Sequence, residues 1–311
     1  MPELPEVETV VRAVRPHVVG RRIASARVAW PRTVGELGPA AFARRLRGLE
    51  IRSMERRAKW FTLGLPSATR PAQALLGHLR MSGRLEVQPA ADPPLPWERA
   101  ALLFTDGTSL RFVDVRKFGR LEVVDDPAQR LADIGPEPLE PTFTDDAFAA
   151  CLGGRRGSLK ATLLDPRVIA GLGNIYVDEA LHRARLHPLR SVATLRAPDR
   201  ARLRTAIVEV LSAALEAEGS SFDVFYRTPD GRPGSYQERL RVYGREGEAC
   251  WHVRDTRASP GRGGPRNARL PDVPAPPSGA VYASAGSRPA ACSRARALEP
   301  LTTPGRTRWS K

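Results

Sequence analysis

The first residues of the chain, Met1–Glu6, place a possible nucleophile beside two carboxylates. A small second residue such as Pro2 normally allows removal of the initiator Met, so we expect a mature chain that begins with a free proline. The α-amino pKa is roughly 7.7–8.0 in unperturbed chains, so part of this amine is neutral at working pH. A secondary amine that condenses with a sugar aldehyde gives an iminium ion, which favours β-elimination. Glu3 and Glu6 are candidate acid–base partners. The same residues also suit an ordinary helix start, because Pro5 fits the first helical position and the acidic residues fit its positive end.

The composition favours a polyanionic partner. The 311 residues carry a formal net charge of +15, and nucleic acid is the simplest partner for such a chain. Residues 251–311 supply +8 of this charge, from eleven basic and three acidic residues. No run of about 18 apolar residues occurs and no signal pattern begins the chain, so we expect a cytoplasmic protein without a membrane span. The three cysteines, Cys151, Cys250 and Cys292, are too few and too scattered for a disulfide framework.

Hydrophobic periodicity divides the chain into segments. Residues 5–14 have apolar positions at helical spacing. From about 20 to 128, short apolar runs separated by Gly, Pro and Asp-Gly signals predict a two-layer β-sandwich. The predicted strand runs are Arg22–Trp30, Leu49–Leu65, Gly83–Val87 and Ala101–Arg111, with a hairpin turn at Asp106-Gly107. Helical patterns follow at residues 145–152, 158–164, 174–184 and 197–217. After residue 250 the chain is rich in Arg, Pro, Ala, Gly and Ser without a sustained period, which predicts disorder.

Three features could bind DNA, and each also has an ordinary structural explanation. A Gly-Leu-Gly turn between two helical patterns precedes Asn174, which would cap the second helix and leave amides free for a phosphate. Such turns are also common in proteins that bind no DNA. Lys59 could hold a phosphate or lie on a solvated face. Met81 and Phe118, each at a predicted turn, could wedge into a base stack with Arg116 between them, or they could be core residues.

Taken together, the motifs resemble one family. In order along the chain they are Pro-Glu-Leu-Pro-Glu-Val-Glu, Arg-Arg-Ala-Lys, His-Leu-x-Met-Ser-Gly, Asp-x-Arg-x-Phe-Gly, Gly-x-Gly-Asn-Ile-Tyr and Val-Tyr-Gly-Arg. Over residues 1–250 the chain resembles the bacterial formamidopyrimidine-DNA glycosylases, which repair oxidised purines. The endonuclease VIII branch, which removes oxidised pyrimidines, shares Pro2 and Glu3 but usually begins Pro-Glu-Gly-Pro and lacks the Met/Arg/Phe trio. Leu4, Met81 and Phe118 therefore favour the purine branch.

The resemblance implies a fold, an activity and a catalytic set. The fold is α+β with two domains: an N-terminal helix plus β-sandwich, then a helical domain with a helix–two-turns–helix element. The activity is that of a bifunctional DNA glycosylase and abasic-site lyase that removes 8-oxoguanine and formamidopyrimidines and then cleaves by β,δ-elimination. Pro2 attacks C1′ as the Schiff-base nucleophile, and Glu3 is the proton donor. Glu6 positions the helix that carries the nucleophile, and Lys59 donates a proton for elimination and contacts a phosphate.

The resemblance also implies the DNA contacts and the setting of the protein. The implied DNA-binding residues are His78, Met81, Arg116, Phe118, Lys160, Asn174 and Gln237. Met81, Arg116 and Phe118 fill the hole left by the flipped base, and residues 219–237 match a loop that closes over that base. The partner is double-stranded damaged DNA, with no membrane involved, and the protein is expected to be a monomer in the bacterial cytoplasm, associated with the nucleoid. Two departures fall outside the residues given roles: Val115 replaces a proline, and Trp97-Glu-Arg replaces a stretch that contains His.

The predicted domain boundaries follow from these segments. Residues 1–130 form the catalytic β-sandwich domain and 131–145 a linker. Residues 146–245 form the helix–two-turns–helix domain, and 246–311 hold a degenerate zinc-finger remnant and a disordered tail.

The zinc finger of the family is not recognisable. The family ends in Cys-x2-Cys-x16-Cys-x2-Cys, which holds one tetrahedral zinc ion, and no other cofactor is expected. Here Cys250 is the only surviving candidate ligand, because Cys292 is too far along the chain and His252 lacks further partners at suitable spacing. We therefore expect zinc not to bind. A lesion-binding or DNA-binding protein whose catalysis is impaired by the lost finger is the alternative function.

A change of reading frame after Cys250 would restore the missing pattern. With GC-rich codons and a frame moved by one base, Trp251–Arg257 can be recoded as Gly-Thr-Cys-Gly-Thr-Pro-Val. Continuing the recoding through Pro277 gives the family's spacing at all four cysteines. We hypothesise that a single-base insertion shifted the frame near residue 251. A basic disordered arm that adds phosphate contacts is the alternative. Coding DNA with an uninterrupted frame and no shifted Cys codons across codons 245–280 would contradict the hypothesis.

Overall fold

The structure of the protein is a computed structural model. It describes residues 1–66, 73–221, 234–246 and 248. Its first element is helix α1, Leu4–Val18, which is longer than the predicted 5–14 because its buried valine face continues through Pro16 to Val18. α1 packs against both the β-strands of the first half and a long helix of the second half. The start of the chain is therefore fixed from two sides.

Eight antiparallel strands form the predicted β-sandwich. They are β1 Ile23–Val28, β2 Ser53–Arg57, β3 Trp60–Leu65, β4 Gln73–His78, β5 Gly83–Pro89, β6 Glu98–Phe104, β7 Thr108–Asp114 and β8 Arg120–Val124. One sheet has the order β1-β6-β7-β5 and the other β2-β3-β4-β8. The hairpin at Asp106-Gly107 is confirmed: it joins β6 to β7, and Gly107 has a φ of +84°. Val7, Phe61 and Phe112 belong to the core that the two sheets and α1 share.

The second half is helical, as predicted. Its helices are α3 Pro127–Arg130, α4 Asp145–Leu152, α5 Leu159–Leu163, α6 Asn174–Arg183 and α7 Ala197–Glu216, with α2 Gly38–Leu46 earlier in the chain. A second apolar core lies among them and includes Phe148, Tyr176 and Ile207. Leu4 of α1 also belongs to this second core. The first turn of α1 thus joins the helical half although the rest of the helix belongs to the sandwich.

Four helices and strands were not predicted: α2, α3, β4 and β8. A 3₁₀ segment, Pro31–Leu37, leads into α2. Every residue of β4 is buried, since it is an inner strand covered on both faces, so no alternation marks it in the sequence. Within the described residues no helix is long and apolar enough to cross a membrane.

Candidate active site

Glu3 lies buried at the start of α1 and faces the start of α6. Its side chain is 3% exposed. The Glu3 backbone N–H donates to Glu6 Oε2 at 2.8 Å, and the Ile175 N–H donates to Glu3 Oε1 at 3.1 Å. The second carboxylate oxygen, Oε2, is buried without a hydrogen-bond partner among the described residues. One oxygen is thus fixed by a helix N-terminus while the other remains able to exchange a proton.

Lys59 shares this pocket with Glu3. It lies in the two-residue turn between β2 and β3, where Ala58 adopts a left-handed φ of +54°. A Cβ added to Gly173 would lie 2.4 Å from Glu3 Cδ and 2.7 Å from Lys59 Nζ. The two charged groups therefore converge on the α-carbon of Gly173, where only a glycine leaves room for both.

Burial sets the ionisation of this pair. It raises the pKa of Glu3 from 4.5 to about 7, the positive charge of Lys59 opposes that rise, and the negative charge of Glu6 adds to it. Burial also lowers the pKa of Lys59, against the attraction of the two carboxylates. Glu3 can therefore both gain and lose a proton near neutral pH, which is the property required of a general acid–base group.

Glu6 attaches the N-terminal strap, residues 2–6, to the helical half. Its Oε1 accepts hydrogen bonds from the Tyr176 hydroxyl at 2.5 Å and the Ser220 N–H at 2.8 Å. Gly219 allows this close approach, because its φ is +80° and a Cβ there would lie 2.7 Å from Glu6 Oε1. The Leu4 N–H donates to the Gly171 carbonyl at 3.1 Å. Pro2 is buried at the head of this strap, behind an exposed Met1.

Glu137 anchors the turn that carries Lys59, a role that the sequence did not reveal. Its carboxylate accepts hydrogen bonds from Arg56 at 2.7 Å, from Arg57 at 2.9 Å and from the Ala58 N–H at 2.6 Å. The residue lies in the segment predicted as a linker. In the sequence this residue stands out only as a glutamate between two prolines. Its pairing with two arginines is seen only in the fold.

One carboxylate holds together the two loops that are predicted to fill the hole of a flipped base, the loop with Met81 and the loop with Arg116 and Phe118. Asp114 accepts hydrogen bonds from Ser82 Oγ at 2.5 Å and from the Gly119 N–H at 2.7 Å. The Arg116 N–H in turn donates to Ser82 Oγ at 3.0 Å. Phe118 is 51% exposed, with the Arg116 guanidinium 5.3 Å from its ring centre. Met81, beside Ser82, is half-buried.

The prediction that Asn174 caps α6 is wrong. Gly173 is the N-cap, and Asn174 is the first helical residue, with an exposed side chain. The cap position falls on Gly173, where a side chain would collide with Glu3 and Lys59. One amide of this helix start, that of Ile175, is already bonded to Glu3. A phosphate contact by Asn174 itself stays a prediction.

Two basic residues predicted to contact DNA are buried in the fold. His78 is 7% exposed, and burial, aided by the charges of Arg80 and Lys59, lowers its pKa to about 3. Its Nδ1 accepts the Arg80 N–H at 3.0 Å, so this neutral ring carries its proton on Nε2. Lys160 is 3% exposed and lies 2.7 Å from Asp178. DNA contacts by these residues stay predictions, and for Lys160 the contact would compete with this ion pair.

The remaining predicted residues lie at or beyond the edge of the described chain. Gln237 is half-buried, and its Oε1 accepts the Ser221 N–H at 3.0 Å. Most of the predicted closing loop, residues 222–233, lies outside the described residues, and so do Cys250, the tail and the proposed frame change. Within the described ranges, no cluster of three or more His, Cys, Asp or Glu side chains could hold a metal.

Comparisons with known proteins agree with the fold. Family models match two stretches: the formamidopyrimidine-DNA glycosylase N-terminal domain at residues 1–121, and the H2TH domain of the same glycosylase at residues 134–225. A formamidopyrimidine-DNA glycosylase from Geobacillus kaustophilus is 42% identical over 255 residues, which cover 80% of this chain and 91% of the relative. One from Streptomyces coelicolor is 43% identical over 258 residues, covering 80% and 89%.

Solved structures show the same similarity. The MutM (Fpg) protein from Thermus thermophilus has a TM-score of 0.76 and 37% identity, over 87% of this chain and 97% of that one. Wild-type Lactococcus lactis Fpg, solved with an N7-benzyl-Fapy-dG containing DNA, has a TM-score of 0.77 and 31% identity, over 87% and 98%. The fold and these matches thus define a DNA glycosylase. The chain belongs to the formamidopyrimidine-DNA glycosylase family.

Proposed function

We propose that this chain removes oxidised purines from double-stranded DNA and then cleaves the abasic strand by β,δ-elimination, acting as a monomer. The observation that carries the proposal is Glu3, a buried carboxyl with a pKa of about 7 beside the head of the chain and a lysine. A structural glutamate has no need of such a position, because burying an ionisable group beside a like charge costs stability. Perturbed carboxyls of this kind are concentrated in active sites.

The chemistry starts at Pro2 once Met1 has been removed. The free secondary amine attacks C1′, the bond from C1′ to the damaged base breaks, and the base leaves with a proton. Opening of the sugar ring gives a cationic iminium between Pro2 and C1′. Glu3 delivers the proton that ring opening requires, because its carboxyl is protonated in part of the molecules near pH 7.

Strand cleavage follows from the iminium. It withdraws electrons, so loss of a C2′ proton breaks the C3′–O bond, and loss of a second proton from C4′ breaks the C5′–O bond. Water then hydrolyses the iminium and releases Pro2. Lys59 is the proposed proton donor and phosphate contact for these eliminations, supported by its depressed pKa and its place beside Glu3.

The exposed loops supply the grip on DNA. Phe118 and Arg116 project from the sandwich, and Asn174 is exposed at the start of α6 in the helical half. We propose that DNA lies across the junction of the two halves, with Met81, Arg116 and Phe118 replacing the extruded nucleotide. The predicted domain boundaries, with the β-sandwich domain ending at residue 130 and the linker at residue 145, stay part of this proposal.

Borohydride trapping tests the proposal directly. The full chain is incubated with an 8-oxoguanine duplex in the presence of borohydride, which reduces an iminium to a stable amine. We expect a covalent complex that peptide mapping places at residue 2. The matched control is the same chain with an N-terminal tag that stays attached, which has no proline amine and should not be trapped. If the untagged chain binds the duplex without trapping, the alternative of a non-catalytic DNA-binding protein is correct.

A further inference from the structure

The loop between β7 and β8 exposes Arg116, one of the residues proposed to fill the hole of an extruded nucleotide. The next residue, Lys117, adopts a left-handed φ of +61°. L-residues avoid this region, so neighbouring structure must enforce it. The Asp114 carboxylate accepts hydrogen bonds from the Arg116 and Gly119 amides of the loop. Further contacts come from β6 and from the segment after β1, and they hold the residues on either side of Arg116.

Arg99 lies at an irregularity of β6 and bonds the start of this loop. The pairing of β6 with β7 shifts register between Glu98 and Ala100, and such irregularities re-aim a side chain. The half-buried Arg99 guanidinium donates from Nε to the Asp114 carbonyl at 2.6 Å and from Nη2 to the Val115 carbonyl at 3.4 Å. One side chain thus bridges the last residue of β7 and the first residue of the loop.

Trp30 holds the residue that follows Arg116. The Lys117 ammonium lies 4.3 Å from the centre of the Trp30 ring, within the range of a cation–π interaction. Trp30 is itself bonded to Arg99, because the Trp30 N–H donates to the Arg99 carbonyl at 3.2 Å. One residue of β6 therefore restrains both neighbours of Arg116 in the chain, one through its guanidinium and the other through Trp30.

We infer that Arg99, together with Trp30, is a positioning residue that presets Arg116 for the base left opposite the extruded nucleotide. This inference rests on the proposed function, in which Arg116 enters the hole. An arginine side chain carries only hydrogen-bond donors, which suit the two acceptors on the pairing edge of cytosine better than the single acceptor of adenine. Holding the loop in place beforehand lowers the cost of ordering it on binding. These contacts should therefore increase the preference for a lesion opposite cytosine.

The test is single-turnover excision of 8-oxoguanine by the full chain, with the lesion opposite cytosine and, separately, opposite adenine. We expect Arg99→Ala to slow excision opposite cytosine about tenfold and to change the rate opposite adenine less, so the ratio of the two rates should fall. Arg99→Lys keeps the charge but loses the planar fork that bridges two carbonyls, so its ratio should also fall. A general loss of folded protein would lower both rates equally and leave the ratio unchanged.

The matched control is Arg22→Ala, which removes an arginine beside the other end of β1. Its guanidinium donates to the Gly48 carbonyl at 2.8 Å, and the ratio of this variant should equal that of the wild type. Trp30→Leu removes the aromatic ring that faces Lys117 without changing the charge of the protein. It should lower the ratio, whereas Trp30→Phe keeps an aromatic face and should stay close to the wild type.

Amide hydrogen exchange of residues 114–119, measured without DNA, reports the loop directly. Exchange should be faster in Arg99→Ala and in Trp30→Leu than in the wild type. Unchanged exchange, or a wild-type ratio of rates in either Arg99 variant, would overturn the inference. If the wild-type chain excises the lesion opposite neither base, the proposed function fails first.

Discussion

Replacing Glu3 by Gln should stabilise the fold above pH 7 while abolishing base excision. The carboxyl has a pKa of about 7 in the fold against an ordinary 4.5, and each pH unit of difference corresponds to about 1.4 kcal/mol. Keeping Glu3 ionised therefore costs the folded chain about 3 kcal/mol above pH 7. Gln stays neutral, and its carbonyl oxygen can still accept the Ile175 N–H. The active site is thus predicted to be maintained at the expense of stability.

The direction in which the free energy of unfolding changes with pH depends on whether the folded or the unfolded chain keeps the proton on Glu3. Between pH 4.5 and about 7 the folded chain keeps a proton on Glu3 that the unfolded chain releases. The free energy of unfolding of the wild type therefore falls as pH rises through this window and levels off above it. The Glu3→Gln variant lacks this fall. Its advantage should be near zero at pH 4.5 and about 3 kcal/mol at pH 8.

Urea unfolding of both proteins from pH 5 to 8.5 measures this difference. Glu8→Gln is the matched control on the same helix. Burial alone would raise the pKa of Glu8, but hydrogen bonds and charges from Arg12 and Arg56 together lower it. This substitution should therefore destabilise the fold at neutral pH, the opposite direction. Parallel curves for the wild type and Glu3→Gln would refute the reasoning about the buried carboxyl.

Three further predictions concern neighbouring contacts. Gly173→Ala places a methyl group 2.4 Å from Glu3 Cδ, so single-turnover excision should slow at least tenfold while duplex affinity holds; an unchanged rate would contradict the close packing. Tyr176→Phe removes the hydroxyl donor to Glu6 and should lower the free energy of unfolding in urea by about 1–3 kcal/mol, whereas wild-type stability would show that the bond contributes nothing. Lys160→Met leaves its carboxylate partner buried and unpaired, which should cost about 3–5 kcal/mol at pH 8. That loss should shrink toward pH 5, where the carboxylate takes up a proton, and a loss independent of pH would be evidence against the ion pair.

Local patterns predicted most of the elements but few of their contacts. The pattern predicts α7 because its apolar spacing repeats over several turns, and Asp106-Gly107 marks its hairpin by turn chemistry. β4 was missed because a strand buried on both faces has no alternation. The pairing of Lys160 with Asp178 and the anchoring of Lys59 by Glu137 join residues distant in sequence, and no local signal encodes such pairs.

Motif order predicted the candidate site better than it predicted the geometry of that site. Pro2, Glu3 and Lys59 were named from the sequence, and the structure places Glu3 and Lys59 together. The cap of α6 was assigned to Asn174 because Asn is a frequent N-cap, yet the tight packing of Glu3 requires Gly173 there.

The N-terminal strap also imposes an order of events during synthesis. Ser220, which bonds Glu6, lies 214 residues farther along the chain. At about 5–20 residues per second, the ribosome needs on the order of 10–40 s to reach it. The start of the chain stays accessible during that time, so an aminopeptidase can remove Met1 before the docked strap buries Pro2. The nucleophile is thus generated early but fixed in position last, because an unfinished chain carries a free proline without the Ile175 and Ser220 amides that hold Glu3 and Glu6.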